Sequence, residues 1–419
     1  MTIRPEETRL QGWEATLFQA AHAISLPEGL YTTITDRYNT LQGILQAADD
    51  PILQRAHVFA QGSIRLRTAI KPARGAEGEL ATVDADAVIW LEDADDAQSE
   101  HVLKAIEKRF TEGSRVETPI QKLRRGIRIV YANEAPGFHI DVTPARNVTA
   151  NTQSGGHGAL QVPDREQGWK ASSPIAYSDW LHRVGSLSLR VITMEALNFR
   201  EGVIAKTSQE DMPAYGEYID ANVLRAAIKL LKRHRDLWAL RNPELRDYRP
   251  ISAVLTTLAG RAYEQIAEGA SVRMERRPLD ALLELIGLMP TFIKGGPGSW
   301  RVLNPVDEGE NFAEKWNRPE TGQRYREAFA QWHRAAQASF RLGLEEMSSL
   351  ESFKEAVSAS FGTSRTLIEQ VIKDFPATWN LPGVALGTTR SSLVLGALSG
   401  SAVAGSSSQS HISPPGRLG

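Results

Sequence analysis

Residues 83–91 read VDADAVIWL, an apolar strand pattern with two carboxylates set into its start. Successive strand residues face opposite sides, so Asp84 and Asp86 emerge together on one face, about 7 Å apart along the chain. An unpaired charge is costly to bury. A fold that accepts this strand must therefore open the aspartate end of it onto a cleft, or bring a cation to meet it. Either way the apolar half belongs in a sheet core and the acidic half at its rim.

The surrounding sequence supplies such a sheet. The stretch SLPEGLYTTITDRYNTLQGILQ opens with Ser25, Pro27 and Glu28, the spacing of a capping box, and predicts a helix running toward Ala48. RAHVFAQGS reads as a short strand ending in a Gly-Ser turn, and KPARGAEGEL (71–80) as a loop. DAQSEHVLKAIEKRFTEG places Leu103, Ile106 and Phe110 on one helical face and closes at Gly113. GIRIVYA and FHIDVTPA follow as two strands joined around NEAPG. Helix and strand thus alternate through the first 150 or so residues, the pattern of a sheet domain.

From about Ser173 the signals turn helical. IDANVLRAAIKLLKRHRDLWAL (219–240) carries an apolar stripe of Leu224, Ile228 and Leu231 beside a basic one of Arg225, Lys229 and Lys232. PISAVLTTLAGRAYEQI predicts a helix with proline near its first turn, and further helices are expected over 278–289, 319–346 and 350–373. The last 35 or so residues, rich in Gly, Ser and Ala, read as a flexible tail. The reading is an α+β protein in three parts: a sheet lobe with N-terminal helices over 1–172, a helical lobe over 173–380, and a tail over 381–419.

Composition narrows the function classes. There is no cysteine, which excludes disulfides, thiolate nucleophiles and cysteine–zinc sites. The net charge of −2 argues against a chain coated for nucleic acid. The N-terminus lacks the apolar core of a signal peptide, and no uninterrupted apolar run reaches the ~18 residues of a membrane span. A cytoplasmic protein without a membrane partner is expected.

A third strand aspartate, Asp141, lies in FHIDVTPA. If the strands are neighbours, Asp84, Asp86 and Asp141 converge, and three adjacent carboxylates cannot all stay ionised without a compensating cation. Mg²⁺, a hard cation that takes oxygen ligands, is the natural compensation. Two such ions about 4 Å apart would activate an attacking hydroxyl and stabilise a leaving phosphate oxygen. The acid-x-acid spacing alone is weak: with 50 acidic residues it arises roughly six times by chance, and solvated aspartates at a strand end explain most instances. What sharpens it is AQGSIRLRTAIKP, where Gly62 and Ser63 form a turn into a helix start, offering N–H groups and a hydroxyl to a phosphate 21 residues before the first aspartate.

Taken together, QGSIRLRTAIKP, VDADAVIWL and FHIDVTPA resemble the three motifs of the polymerase-β-type nucleotidyltransferases. LLKRHRD followed by RPISAVLTTLAGRAYE resembles, more narrowly, the bacterial CD-NTases, relatives of animal cyclic GMP–AMP synthase, and LQVPDREQGWKASSPIAYSDWL is similar to the segment bridging their lobes. The resemblance spans roughly residues 25 to 300. It implies a two-lobed fold with a nucleotide cleft, in which Gly62 and Ser63 position a triphosphate. It further implies that Asp84, Asp86 and Asp141 hold two Mg²⁺ ions, for which Mn²⁺ can substitute, and that Asp141 helps deprotonate a 3′ or 2′ hydroxyl. Lys232 and Ser252 match positions that reach the phosphates. The implied activity is synthesis of a cyclic di- or trinucleotide from NTPs such as ATP or GTP with loss of pyrophosphate, in bacterial anti-phage (CBASS) signalling. The cysteine-bearing zinc insertion of the animal enzyme is absent, so no DNA activator is expected.

Other residues have plainer readings. Lys229, Arg233 and Arg235 read as surface charges. Trp169, Tyr177 and Trp180 read as core between the lobes, with base stacking as the alternative. His139 shares the face of Asp141 and reads as structural, with tuning of the site as the alternative. His157 reads as a loop residue. The tail ending at Gly419 suits attachment to a regulatory or conjugating protein, or no role at all. Two rivals stand beside the synthase: a nucleotidyltransferase acting on RNA ends or on a protein, and an inactive nucleotide-binding scaffold.

Overall fold

The computed structural model describes residues 5–112, 120–131, 137–147, 160–187, 222–269 and 277–374. The first half holds helices α1 (Pro5–Ala23), α2 (Glu28–Gln46), α3 (Pro51–Gln54), α4 (Gly62–Arg65), α5 (Ser99–Thr111) and α6 (Pro174–Gly185), with strands β1 (Ala56–Gln61), β2 (Val83–Leu91), β3 (Gln121–Lys122), β4 (Ile127–Tyr131), β5 (Phe138–Asn147), β6 (Leu160–Asp164) and β7 (Gly168–Ser172). The second half holds α7 (Val223–Arg241), α8 (Ser252–Gly269), α9 (Pro278–Leu288), α10 (Gly322–Phe340), α11 (Leu350–Phe361) and α12 (Arg365–Asp374), with a hairpin of β8 (Leu303–Asn304) and β9 (Asp307–Asn311). None of the helices among the described residues is long and apolar enough to cross a membrane.

The sheet runs β1-β2-β5-β4-β3, and β6 and β7 extend it from β5. β2 is antiparallel to β1 and parallel to β5, while β4 is antiparallel to β5. Register decides the chemistry: Asp86 sits opposite Asp141, and Asp84 opposite His139. The apolar halves of these strands, Val88, Ile89 and Leu91 among them, are fully buried. The acidic ends reach the sheet's rim, as the opening pattern requires.

A second apolar core joins the helices, with Trp13, Leu231, Leu258, Phe329 and Phe361 inside it. α1 belongs to this core rather than to the sheet: Trp13 is fully buried and its indole Nε1 donates to the Phe340 carbonyl at 2.8 Å. The helices of the N-terminal segment are therefore divided, α2 packing with the sheet core and α1 with the helical one.

The structure corrects several local expectations. The capping box at Ser25 does not form, because the Ser25 hydroxyl donates back to the Ala21 carbonyl and closes α1, while α2 starts after Pro27 without a side-chain cap. The helix expected over 350–373 is two helices, split at Gly362, whose φ of +66° ends α11 in the left-handed region that glycine tolerates. His157 and the tail lie outside the described residues.

Candidate active site

The turn after β1 places the first two site residues. Gly62 opens α4 with φ +58°, a conformation costly for any residue with a Cβ. The missing Cβ also makes room, since an ideal one would stand 2.0 Å from Asp86 Oδ2. Ser63 follows, its hydroxyl 3.4 Å from the Asp84 carbonyl oxygen. Tyr38 of α2 donates its hydroxyl to the Asp86 carbonyl at 3.0 Å, tying the acidic end of β2 from behind.

Six of the seven residues singled out from the sequence line one cleft of about 570 Å³: Gly62, Ser63, Asp84, Asp86, Lys232 and Ser252. Asp141 lies beside it on β5, and its neighbours Arg128 and His139 line the cleft. Arg128 of β4 is the cross-strand partner of Asp141 and grips it with both arms, Nε to Oδ1 at 2.6 Å and Nη2 to Oδ2 at 2.8 Å. Such a fork keeps the carboxylate in one orientation while leaving lone pairs on each oxygen. Sequence reading missed Arg128, because one arginine between Ile127 and Ile129 looks like the solvent side of an edge strand.

His139 is buried and serves Asp84. Its Nε2 lies 3.0 Å from Asp84 Oδ1 and its Nδ1 3.0 Å from the Thr82 hydroxyl. With Thr82 donating to Nδ1, the Nε2–H is directed at the carboxylate. Burial works to raise the pKa of Asp84, but the hydrogen bond from His139 and the charges of Lys232 and Arg128 prevail and hold it below the usual range. Asp86 has the same two cations nearby, Lys232 and Arg128, but no counterpart of the His139 hydrogen bond among the described residues. Burial and the negative charges of Asp84 and Asp141 push it well above the usual carboxylate range, and among the described residues its carboxylate accepts no hydrogen bond.

That asymmetry tests whether the residues suit a hard divalent cation. Ligand atoms of Asp84, His139 and Asp141 all lie within 4.8 Å of one another. Asp86 faces the same patch, where burial and its two carboxylate neighbours outweigh Lys232 and Arg128. With both ring nitrogens of His139 engaged, the donors left for an ion are carboxylate oxygens, which suits Mg²⁺ or Mn²⁺. The residues fit.

The opposite wall comes from α7 and α8. Lys232 is buried, donates from Nζ to the Thr68 carbonyl at 3.1 Å, and has its pKa pushed down to about 8 by burial and by Arg235. Ser252, at the start of α8, accepts from Arg235 Nη1 at 3.0 Å. Arg235 also donates to the Pro250 carbonyl and pairs with Asp236 at 2.7 Å. The surface-charge reading of Lys229, Arg233 and Arg235 is wrong: all three are buried. Lys229 donates to the Ser25 hydroxyl and Arg233 to the Lys71 carbonyl. α7 is enclosed on nearly every face, so its basic residues link the helical core to the segments carrying the site.

The aromatic residues resolve individually. Trp180 is core, set against Gly260, where a Cβ would stand 2.3 Å from its ring. Trp169 is held away from the cleft, with Nε1 donating to the Ala97 carbonyl and Arg146 lying 4.0 Å over its ring. Tyr177 does line the cleft, but its hydroxyl is bonded to Thr257 and its ring meets Phe312 edge-on.

Comparison with known proteins follows the same lines. Residues 15–184 match the family described as the Second Messenger Oligonucleotide or Dinucleotide Synthetase domain. A c-di-GMP synthase of Roseivirga ehrenbergii is 26% identical over 316 residues, covering 73% of this chain and 74% of that protein. The cyclic dinucleotide synthase CdnG of Bradyrhizobium diazoefficiens is 25% identical over 245 residues, 56% of this chain and 55% of the relative. The solved structure of that CdnG in complex with GTP superposes with a TM-score of 0.60 at 20% identity, covering 86% of this chain and 98% of that one.

Proposed function

The chain belongs to the bacterial CD-NTases, nucleotidyltransferases with the polymerase-β-like α+β fold, and on that premise we propose that it builds a cyclic di- or trinucleotide from NTPs with release of pyrophosphate. The observation that carries the reading is the register of β2 on β5, which sets three aspartates against a cleft also lined by Gly62, Ser63 and Lys232. Both curated relatives are named as cyclic dinucleotide synthases, which supports the product class.

In this reading, Ser63 and the backbone of the Gly62 turn hold the triphosphate, and Lys232 answers its charge from the facing helix. Asp141, steadied by Arg128, takes the proton of a ribose hydroxyl as that oxygen attacks the α-phosphorus. The bond between the α-phosphorus and the bridging oxygen to the β-phosphate breaks, and pyrophosphate leaves. Two such transfers between the same nucleotides close a ring. Bound divalent cations, Mg²⁺ or Mn²⁺, would be held by Asp84, Asp86 and Asp141 and would supply charge neutralisation at the phosphates. The sheet lobe (1–172) would carry the chemistry and the helical lobe (173–380) the far wall of the cleft. We place the product in anti-phage (CBASS) signalling, with a protein partner engaging the tail as the route of regulation.

The test uses the purified chain with all four α-³²P-labelled NTPs and Mg²⁺ or Mn²⁺, then phosphatase and thin-layer chromatography. A phosphatase-resistant product, absent from an Asp84→Asn/Asp86→Asn variant, is expected. Label entering added RNA or protein instead would favour the rival transferases. Nucleotide binding without turnover would favour the scaffold.

Lys232 gives a separate check. Its charge in the free protein is lost as pH rises through about 8, whereas a bound triphosphate favours the charged form. KM for NTP is therefore expected to climb above that pH, by at most about tenfold per unit. A Lys232→Arg variant, charged throughout, should show no such climb. A flat wild-type profile between pH 7 and 9.5 would remove Lys232 from the phosphate site.

A further inference from the structure

Glu310 lines the same cleft but takes no part in the chemistry above. It sits on β9, and the charges acting on it most are Asp307, Arg125 and Glu314, none from the aspartate cluster. It comes from the β8–β9 hairpin, a different element from the turn, strands and helices that carry the phosphate-facing residues. Its side chain is held: Oε2 accepts from Asn304 Nδ2 at 2.8 Å. Asn304 is itself buried, and its Oδ1 accepts from the Val306 N–H at 3.0 Å, which fixes which way the amide points. Among the described residues no donor reaches Glu310 Oε1. Burial pushes the carboxyl up from its ordinary range, with Asn304 and Arg125 opposing. Phe312, two residues on, and Tyr325 line the same cleft and supply apolar ring surface.

A carboxylate with an open oxygen, in a cleft that also offers aromatic rings and borne by a different element from the phosphate-facing residues, is an acceptor pair waiting for two donors. We propose that Glu310 is a specificity-determining residue that reads guanine, accepting the N1–H and the exocyclic N2–H of a GTP base. Guanine alone among the four bases presents two adjacent N–H donors on its pairing edge. Adenine sets the N1 lone pair against the carboxylate, and uracil and cytosine each set an acceptor beside their single donor. Asn304 is the positioning residue that holds Glu310 for this contact. The inference rests on the nucleotide-site reading above and deepens it by naming the base.

Binding, not turnover, tests it. The full chain is titrated with α,β-methylene analogues of GTP, ITP and ATP, whose reacting bond is blocked. Hypoxanthine lacks only the exocyclic amine, so the ITP analogue is expected to bind about tenfold more weakly than the GTP analogue, and the ATP analogue more weakly still. Glu310→Gln keeps the shape and can still accept from Asn304, but presents one donor and one acceptor. It is expected to lose about 10–100-fold toward the GTP analogue and to narrow or reverse the preference over the ATP analogue. Equal binding of the three by the wild type, or a wild-type preference for the ATP analogue, would overturn the assignment while leaving the nucleotide site standing. If none of the analogues binds, the site reading falls and this inference with it.

Discussion

Replacing Asp86 by asparagine is expected to abolish turnover while making the metal-free protein more stable. The two effects have one cause. Asp86 is crowded by Asp84 and Asp141, and burial and their charge raise its pKa well above the ordinary value. A carboxyl whose folded pKa lies above its unfolded one favours the fold at low pH. That contribution is lost as pH rises from the unfolded value of about 3.8 through the raised folded one, beyond which the ionised group opposes folding. Asparagine has the same shape and never ionises. The variant should melt about 1–3 °C higher than the wild type in EDTA at neutral pH, and the acid-to-neutral fall in melting temperature should be shallower. Turnover should drop on the order of 10³-fold or more, since a group that neutralises charge at the reacting phosphate contributes several kcal/mol. Mg²⁺ should stabilise the wild type and do much less for the variant. A variant that melts below the wild type in EDTA would show that Asp86 is satisfied by the protein, and would count against its assignment as a metal ligand.

How far the sequence alone reaches is clear from which residues it placed. The acidic strand was legible because a period of two assigns faces without further information. Two strands, each with one aspartate-bearing face, then needed only adjacency to make a cleft, and the register of β2 on β5 supplies it. The N-terminal helices read as part of the sheet lobe, and α1 departs from that for a physical reason: Glu14 and Thr16 are buried alongside Trp13, Ala15, Leu17 and Phe18, so over 13–18 no polar position marks which face meets which core. α7 misled for the same reason. Its charges looked like a wetted face, yet Lys229, Arg233 and Arg235 are buried with partners from Ser25, Lys71 and Pro250, roughly 15 to 200 residues away in the chain. Arg128 and Glu310 illustrate the remaining limit. Each is an ordinary charged residue in a short strand, and what singles it out is a neighbour across the sheet or hairpin, Asp141 in one case and Asn304 in the other.

Gly62→Ala separates folding from chemistry at the turn that serves both. Two demands meet at this position. The backbone takes φ +58°, which costs a residue with a Cβ roughly 1 kcal/mol. The added methyl would also stand 2.0 Å from Asp86 Oδ2 and 2.8 Å from its Cγ, so the carboxylate has to move. Among the described residues the Asp86 carboxylate accepts no hydrogen bond that would resist that movement, so the clash is relieved by swinging the side chain rather than by unfolding the strand. The stability loss should therefore be modest, about 1–2 kcal/mol. The loss of turnover should be large, about 10²–10³-fold, because displacing a reacting group by about 1 Å is enough to cost a hundredfold. Ser63→Ala, which removes one hydroxyl from the same turn and leaves Asp86 in place, should cost about tenfold and raise KM more than it lowers kcat. The measurement is kcat and KM for both variants alongside thermal melts. If Gly62→Ala keeps turnover within tenfold of the wild type, the close contact with Asp86 has no part in the chemistry, and the glycine serves the turn alone.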